Sequence, residues 1–430
     1  MAAWHPSQGP SIGLGRLVVI TLAMVAPATS VFLTYGSAYR TAGPAIILSY
    51  ALGSLLVLLV MFCYAEVGSV FPEAGGDYAL ASHSLGPRAG RIVGTVFALK
   101  GAVLPAVLAG SASVYLHELF AGVPLTLTIA AMLLLILGLG LLDLKVTSRL
   151  MTTMVVIEVL AFMWFATTAA ATIHLPAHVG GPVVFHASGL WAPIATAAVP
   201  ALYSLNGPQG CLYYSEEVRG QPEGYGRAVV LVTLITMAIE LLGVTLGTLA
   251  LTALGTVSPV SLPLLAVVRH GLFGRVGQEL LLACIVVGLF NSALATAMSY
   301  GRVYYAMARD WPHPGLIRRW IGHADRRGVP RPALVVLVAL NLGLVLAAPV
   351  NSLIVLLGAL VMVVYGTIVV GALFVRRQVN TIPYRMPGWP WVPLLALLGL
   401  LVLLPHVPVA EMLVMAAVLG LGTIRVSCTR

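Results

Sequence analysis

Three ionisable side chains lie inside runs of residues that are otherwise apolar, and their chemistry would be the binding or transfer of a cation. They are Lys100, Glu158 and Glu240. A charge at the centre of a bilayer costs about 2.5–3.5 kcal/mol even on a lenient scale, so such a residue is retained for a partner or a function. Lys100 follows Arg91 by nine residues, and Glu158 follows Arg149 by the same number. At about 1.5 Å per residue both would lie roughly 13 Å deep, and they could form an ion pair if their helices are neighbours.

Two apolar segments are interrupted by residues that disfavour a helix. Residues 206–210 read Asn-Gly-Pro-Gln-Gly within the apolar segment 191–215, and residues 26–30 read Ala-Pro-Ala-Thr-Ser within the segment 16–39. Glycine and proline weaken a helix, and proline also lacks an N–H group. Backbone freed at membrane depth is tolerated only where it is buried in protein or lines a cavity. Paired breaks of this kind predict a binding site for a small molecule, although proline in a membrane helix can also produce only a kink.

The composition requires a membrane around these residues. The chain is 60% hydrophobic and only 9% charged over 430 residues, whereas a soluble domain carries about 25% charged residues. Each apolar segment is close to the length of about 20 residues that a spanning helix needs. The sequence predicts an all-α integral membrane protein with twelve transmembrane helices. The predicted spans are 16–39, 44–70, 89–118, 124–142, 149–174, 191–215, 226–251, 276–307, 331–348, 351–376, 388–406 and 408–426.

The net charge of +9 follows the predicted topology. If the N-terminus is cytoplasmic, 19 of the 23 Lys and Arg residues fall on the inner side and three on the outer side, with Lys100 inside a span. This bias predicts a multi-pass protein of the cell (inner or plasma) membrane with both termini in the cytoplasm. It also accounts for the basic surplus, so we expect the lipid bilayer, and not a nucleic acid, as the partner of this charge. We expect no cleaved signal peptide, because the first apolar run is too long.

The two interrupted spans are the first and the sixth, and this spacing predicts an internal repeat. A copy that begins five spans later starts from the opposite side of the membrane, so the repeat is expected to be inverted. The chain would then be one transmembrane domain (1–430) with a first repeat at 1–175, a second at 176–378, and helices 11 and 12 at 379–430. We expect short helices over the outer face in the loops 174–190 and 256–275.

Several segments resemble the amino acid–polyamine–organocation (APC) superfamily. Residues 65–78 read AEVGSVFPEAGGDY and resemble that superfamily's signature after the second span. Residues 213–218 (YYSEEV) with 227–228 resemble the inner end of its sixth span. Residues 306–310 (AMARD) and 329–333 (VPRPA) resemble its loop between spans 8 and 9. The resemblance implies a LeuT-type fold with an inverted 5+5 repeat, and a substrate held between broken helices 1 and 6.

The chain departs from the usual family pattern at both breaks. The family commonly has Gly-Ser-Gly-Ile-Phe at the first break, where residues 28–32 read Ala-Thr-Ser-Val-Phe. It often has Gly-aromatic-Glu at the second, where residues 207–209 read Gly-Pro-Gln, and its Pro-Arg-Arg-Thr-Ile-Pro run after span 6 is replaced at 221–226. Because Gln209 is neutral, a neutral amino acid or small amine is favoured over arginine or a polyamine.

An amino acid carries a carboxylate and an ammonium, and a broken helix offers partners for both. N–H groups at the start of a half-helix suit the carboxylate, here near Thr29 and Ser30. Freed carbonyl groups suit the ammonium, here at Leu205 and Asn206. The predicted substrate-binding residues are Ala26, Pro27, Ala28, Thr29, Ser30, Tyr203, Leu205, Asn206, Gly207 and Gln209.

The resemblance also bears on energy coupling. Proton-coupled relatives carry a lysine at the span 5 position that matches Glu158, where its ammonium replaces a sodium ion, and several carry an acid at the position of Lys100. The two signs are exchanged in this chain. We hypothesise a coupled Lys100–Glu158 pair that carries the proton; the alternatives are a static pair, or Lys100 extending to the interface without contact. Asn291, Ser292 and Thr296 are candidates for oxygen ligands of sodium, and a carboxylate at position 158 could equally help to bind it, so sodium coupling stays open.

The remaining acidic and histidine residues predict supporting roles. Glu216 and Glu217 are expected to form part of a cytoplasmic gate by bridging to basic residues of nearby loops, and Glu240 is expected to make a structural polar contact. The histidines have no spacing typical of a metal site or a catalytic triad, so no enzyme activity, cofactor or resident metal is expected.

Together these features predict a secondary active transporter of amino acids or related amines, working by alternating access with proton-coupled uptake. The alternatives are an exchanger without ion coupling, a sodium symporter and a non-transporting membrane sensor. The sequence does not identify protein partners or the individual substrate.

Overall fold

The structure is a computed structural model, and nearly all of its described residues belong to helices. It describes residues 12–73, 75–120, 122–173, 189, 191–219, 222–255, 263–271, 273–311, 315–325, 329–348, 350–407 and 409–427. These residues form sixteen α-helices: α1 Leu14–Val25, α2 Pro27–Ala42, α3 Ile46–Val70, α4 Gly76–Leu85, α5 Pro87–Leu119, α6 Leu125–Gly140, α7 Leu144–Ile173, α8 Trp191–Ser204, α9 Pro222–Ala253, α10 Pro263–Arg269, α11 Gly274–Asp310, α12 Gly315–Trp320, α13 Arg331–Ala347, α14 Val350–Gln378, α15 Trp391–Leu403 and α16 Val409–Ser427.

Each predicted apolar segment contains one or two of these helices, which confirms the all-helical fold class. Six helical stretches of the described residues are long and apolar enough to cross a membrane: Leu14–Val70, Pro87–Leu119, Leu144–Ile173, Pro222–Ala253, Gly274–Asp310 and Leu356–Gln378. Three shorter apolar helices, Leu125–Gly140, Arg331–Ala347 and Trp391–His406, accompany them. The span count of twelve stays a prediction. Helix α10 lies in the predicted outer loop 256–275, whereas residues 174–188 of the other loop lie outside the described residues.

Short 3-10 helices and two very short strands complete the described structure. The 3-10 helices are Gly43–Ala45, Pro208–Glu217 and Leu404–His406, and the second of these is called the inner half of span 6 below. The strands β1 Ile12–Gly13 and β2 Val218–Arg219 pair in parallel, with Ile12 opposite Val218. This pairing joins the residues just before α1 to those just after the inner half of span 6.

The two interrupted spans run beside each other through the core. Helix α2 packs against α8, and α1 packs against the inner half of span 6. Each half of span 1 therefore contacts the corresponding half of span 6. Around them α3 packs against α9, and α5 packs against α11, while α7 contacts α1, α9 and α11. The breaks are therefore enclosed by helices on several sides, and polar groups there are kept from lipid.

The backbone shows why the chain breaks where it does. Ala26 adopts a left-handed conformation (φ 48°, ψ 62°), and Pro27 restarts the helix at the first position of α2. Proline disfavours the right-handed helical conformation of the residue before it, and it suits the first position of a helix, where no N–H is needed. The break in span 1 is thus a single residue, shorter than the predicted 26–30. In span 6, Gly207 has φ 137°, which a residue with a side chain rarely adopts, and a Cβ there would lie 2.8 Å from the Val25 side chain.

A buried ion pair links α3 to α14. The Arg376 guanidinium donates two 2.7 Å hydrogen bonds to the Glu66 carboxylate, and the Met386 backbone N–H donates a third at 2.7 Å. Glu66 is fully buried, so its charge depends on these partners. Removing one partner of a buried pair leaves an uncompensated charge, which typically costs about 3–5 kcal/mol.

We therefore expect Arg376→Gln to lower the unfolding free energy by about 3 kcal/mol, because the Glu66 carboxylate would lose its bidentate partner. Arg227→Gln is the control, since Arg227 forms an exposed i,i+4 pair with Glu223. Such exposed pairs contribute about 0–1 kcal/mol. Thermal unfolding of both variants in detergent would check this, and equal midpoints would contradict it.

Candidate functional site

A cavity lies between the two helix breaks. Met24, Val25 and Ala26 at the end of α1 form one side of it, and they lie close to the break of span 6. Leu33, Leu104, Leu108 and Leu289 give it apolar walls. Its polar groups are few and come from three helices (α2, α8 and α11) and the second break: Ser30, Tyr203, Ser204, Asn206 and Ser292. An apolar pocket with a few convergent polar groups is the usual form of a small-molecule site.

The structure brings four of the predicted substrate-binding residues to this cavity. They are Ala26, Ser30, Tyr203 and Asn206. The other six lie near the breaks but do not line the cavity: Pro27, Ala28, Thr29, Leu205, Gly207 and Gln209. Pro27 and Gly207 shape the backbone, whereas Ala28, Thr29 and Gln209 hold other groups of the protein in place.

Asn206 is the centre of a buried hydrogen-bond network at the break of span 6. Its side-chain oxygen accepts hydrogen bonds from Gln209 Nε2 (3.0 Å), Tyr365 OH (3.0 Å) and Lys100 Nζ (3.4 Å). Gln209 in turn accepts a 3.1 Å hydrogen bond from the Gly207 N–H. Gln209 thus stabilises the break and does not face the cavity, so its neutrality bears on substrate charge only indirectly.

Glu158 binds the start of α2. One carboxylate oxygen, Oε1, accepts hydrogen bonds from the backbone N–H groups of Ala28 (3.1 Å) and Thr29 (3.0 Å). A helix N-terminus favours negative charge, because its first N–H groups have no partner within the helix. The sequence assigns N–H groups near Thr29 and Ser30 to a substrate carboxylate; in the conformation described here Glu158 occupies the amides of Ala28 and Thr29, and the assignment to a substrate stays a prediction. The other oxygen, Oε2, is buried and has no hydrogen-bond partner among the described residues.

Lys100 does not pair with Glu158 in the described part of the chain. Its ammonium lies 3.4 Å from Asn206 Oδ1 and over the rings of Phe97 and Tyr300, at 5.7 and 5.9 Å from their centroids. The predicted contact is wrong, because Glu158 faces the break of span 1 whereas Lys100 faces that of span 6. Asp77, a fully buried acid at the start of α4, accepts a 3.1 Å hydrogen bond from the Tyr213 hydroxyl and interacts electrostatically with Lys100.

The three candidate sodium ligands, Asn291, Ser292 and Thr296, lie on α11 behind the break of span 1. Ser292 donates a 2.7 Å hydrogen bond to the Met24 carbonyl, and Asn291 Nδ2 donates one of 3.3 Å to the Met151 carbonyl of α7. Asn291 Oδ1 and Thr296 Oγ1 are buried without a hydrogen-bond partner among the described residues. Oxygen atoms are thus present beside span 1, and their binding of sodium stays a prediction.

Glu240 joins the outer halves of the two broken spans. Its two oxygens accept 2.6 Å hydrogen bonds, one from Ser30 of α2 and one from Ser204 of α8. The sequence predicts only a structural polar contact for Glu240, and the contact proves to be with two residues that line the cavity. The side chains of Glu216 and Glu217, the predicted gate, lie outside the described residues.

Sequence reasoning missed the apolar walls of the cavity. Leu104 and Leu108 lie four and eight residues after Lys100 on α5 and line the cavity. Residues with this spacing share a helix face, so the lysine at position 100 could have been used to predict that Leu104 and Leu108 face the interior site. Leu33 follows Ser30 by three residues on α2 in the same way.

Comparison with known proteins identifies the family of the chain. The family model described as amino acid permease matches residues 12–419. The branched-chain amino acid permease of Lactococcus lactis is 24% identical over 90% of this chain and 86% of its own length. The methylthioribose transporter of Bacillus subtilis is 25% identical over 68% of this chain and 66% of its own. The γ-aminobutyric acid permease of Escherichia coli is 28% identical over 40% of this chain and 37% of its own.

The family match extends over nearly the whole chain, which confirms the resemblance seen in the motifs. Proteins of this family are transporters embedded in membranes and not enzymes. The chain belongs to the amino acid permease family.

Proposed function

We propose that the protein transports neutral amino acids with apolar side chains, and that the cavity between the two helix breaks is the substrate site. The observation that carries this proposal is the cavity lining, in which leucine side chains face a small group of hydroxyl and amide groups. The apolar walls suit an aliphatic side chain, and burial of each CH₂ group contributes about 0.8 kcal/mol. The polar groups suit the amino acid's charged end.

The similarity to a branched-chain amino acid permease supports this substrate class, because that match extends over most of both chains. An arginine or polyamine substrate would bring a second cation into the apolar part of the cavity. None of the leucine side chains there could compensate that charge, and an unpaired buried charge is strongly disfavoured.

Uptake is proposed to be coupled to protons through Glu158. The Glu158 carboxyl group accepts hydrogen bonds from the Ala28 and Thr29 amides, and its second oxygen is buried without a partner among the described residues. Protonation would remove the charge that the helix N-terminus stabilises and would weaken the hydrogen bonds between Glu158 and the two amides. The amides would then be free for the carboxylate of a substrate. A proton and an amino acid would thereby bind together.

Alternating access and topology complete the proposal. Packing of α3 on α9 and of α5 on α11, beside the packed halves of spans 1 and 6, supports two inverted copies at 1–175 and 176–378. Residues 379–430 would lie outside the repeat, and both termini would be cytoplasmic. The cavity at the interface of the copies would open to each side in turn.

Transport into liposomes tests the proposal. Purified protein should accumulate labelled leucine when the interior is more alkaline than the exterior, and should not accumulate labelled arginine. Uptake only with internal amino acid would indicate an exchanger, and binding without uptake would indicate a sensor. A requirement for sodium would instead favour the oxygens of Asn291 and Thr296, which lack partners among the described residues, as the coupling site.

A further inference from the structure

Glu240 on α9 is a fully buried carboxylate with an unusual set of partners. It is 0% exposed, and both of its hydrogen bonds come from serine hydroxyls at 2.6 Å. Distances of 2.5–2.7 Å are typical of a hydroxyl that donates to an ionised oxygen. No Lys or Arg among the described residues pairs with Glu240, so this part of the chain supplies no counter-ion for a charge on Glu240.

The direction of these hydrogen bonds determines what the serines offer to the cavity. When Glu240 is ionised its carboxylate only accepts, so the Ser30 and Ser204 hydroxyl protons then point to Glu240. These hydroxyls also contact the carbonyl oxygens of Pro27 (3.0 Å) and Ala201 (2.9 Å), which are acceptors as well, and Ser204 also interacts with the Tyr50 hydroxyl. Each hydroxyl therefore uses its proton in these hydrogen bonds, and its oxygen keeps lone pairs that can accept another hydrogen bond. Since both serines line the cavity, they present hydrogen-bond acceptors there.

We propose that Ser30 and Ser204, oriented and charged by Glu240, form the subsite for the ammonium group of the substrate. This inference rests on the proposed function, because it assigns one end of the amino acid within the same cavity. Two acceptor oxygens from different broken helices converge on the cavity, and a buried carboxylate behind them supplies the negative charge that an ammonium needs. Glu240 acts here as a positioning residue, because it reaches the substrate through the serines.

The same assignment separates the two ends of the substrate. The carboxylate end would meet the start of α2, which Glu158 occupies in the conformation described here. The ammonium end would lie one or two residues further along α2, at Ser30. Ala28 and Thr29 precede Ser30 by two residues and one, so both ends of an α-amino acid fall within the reach of a single helical turn.

Three ligands that share one carbon skeleton test the subsite in purified protein. Leucine has both charged groups, 3-methylbutylamine lacks the carboxylate, and 4-methylpentanoate lacks the ammonium. Glu240→Gln should weaken leucine and 3-methylbutylamine binding about tenfold or more, as expected for loss of a charge-assisted contact, and should leave 4-methylpentanoate at its wild-type affinity. If 4-methylpentanoate does not bind the wild type, the change in affinity for 3-methylbutylamine decides the test. Glu279→Gln is the control, because Glu279 forms an exposed pair with Arg275.

Ser204→Ala provides a second variant in which the carboxylate stays in place and one acceptor is removed. It should show the same selective loss, with a smaller factor, and it keeps the proposal testable if Glu240→Gln does not fold. Equal weakening of all three ligands would show a purely structural role and overturn the subsite. Leucine binding that requires sodium in the wild type, but not in Glu240→Gln, would assign the carboxylate to an inorganic cation instead and overturn it too. Absence of amino acid binding and uptake in the wild type would refute the proposed function itself.

Discussion

Glu158→Gln should abolish leucine accumulation driven by a proton gradient, with a fall of about tenfold or more, and should preserve exchange of leucine across the same liposomes. Glutamine has nearly the same shape as glutamate, and its carbonyl oxygen can still accept from the Ala28 and Thr29 amides. It cannot gain or lose a proton at neutral pH. The proton gradient could therefore no longer drive uptake through this residue, while the substrate cavity would stay intact.

The measurement is initial uptake of labelled leucine at a fixed internal pH and a series of external pH values. Glu118→Gln is a matched control, because Glu118 lies at the exposed end of α5 and its loss removes the same charge. Wild-type behaviour is expected there. Uptake by Glu158→Gln that still rises with the gradient would remove the proton role of Glu158.

Gly288→Ala should reduce leucine uptake about tenfold or more, since α11 approaches α2 at this glycine. A Cβ at position 288 would lie 2.1 Å from Thr29 Oγ1 and 3.1 Å from Thr29 Cβ. Extra atoms in a packed core typically cost about 1–3 kcal/mol and displace neighbouring groups. The displaced residue would be the one whose N–H binds Glu158, so both the break and the coupling contact would be disturbed.

Gly343→Ala on α13 is the matched control, because a Cβ there meets nothing within 4 Å. Alanine is favoured over glycine by about 1 kcal/mol inside a helix, so this variant should be at least as stable as the wild type. Uptake and thermal unfolding measured on both variants separate the two effects. Wild-type uptake by Gly288→Ala would show that the close approach of α2 and α11 has no functional role.

The helices and their breaks could be predicted from the sequence because local rules govern them. Long apolar runs favour helices in a membrane, and proline or glycine interrupts them, so both breaks were found at the right places. The extents differ for a local reason. Pro27 allows a helix to restart at once, whereas Gly207 with φ 137° cannot belong to one, and span 6 continues only as a 3-10 helix.

The partners of the buried charges could not be predicted in this way. Depth follows from counting residues along a helix, and Lys100 and Glu158 were placed at similar depth for that reason. The direction of a side chain around its helix depends on how the helices pack. Lys100 faces Asn206, and Glu158 faces the amides of α2, so equal depth does not bring them together.

The short parallel pairing of Ile12–Gly13 with Val218–Arg219 has a mechanical consequence for the transport cycle. It fastens the inner half of span 1 to the inner half of span 6, which already pack against each other. In a cycle of alternating access, we expect the two inner halves to move as one unit that rotates about Ala26 and Gly207. A path from the cavity to the inner side would open between this unit and the helices α7 and α11. Separation of the two inner halves from each other would first require the strand hydrogen bonds to break.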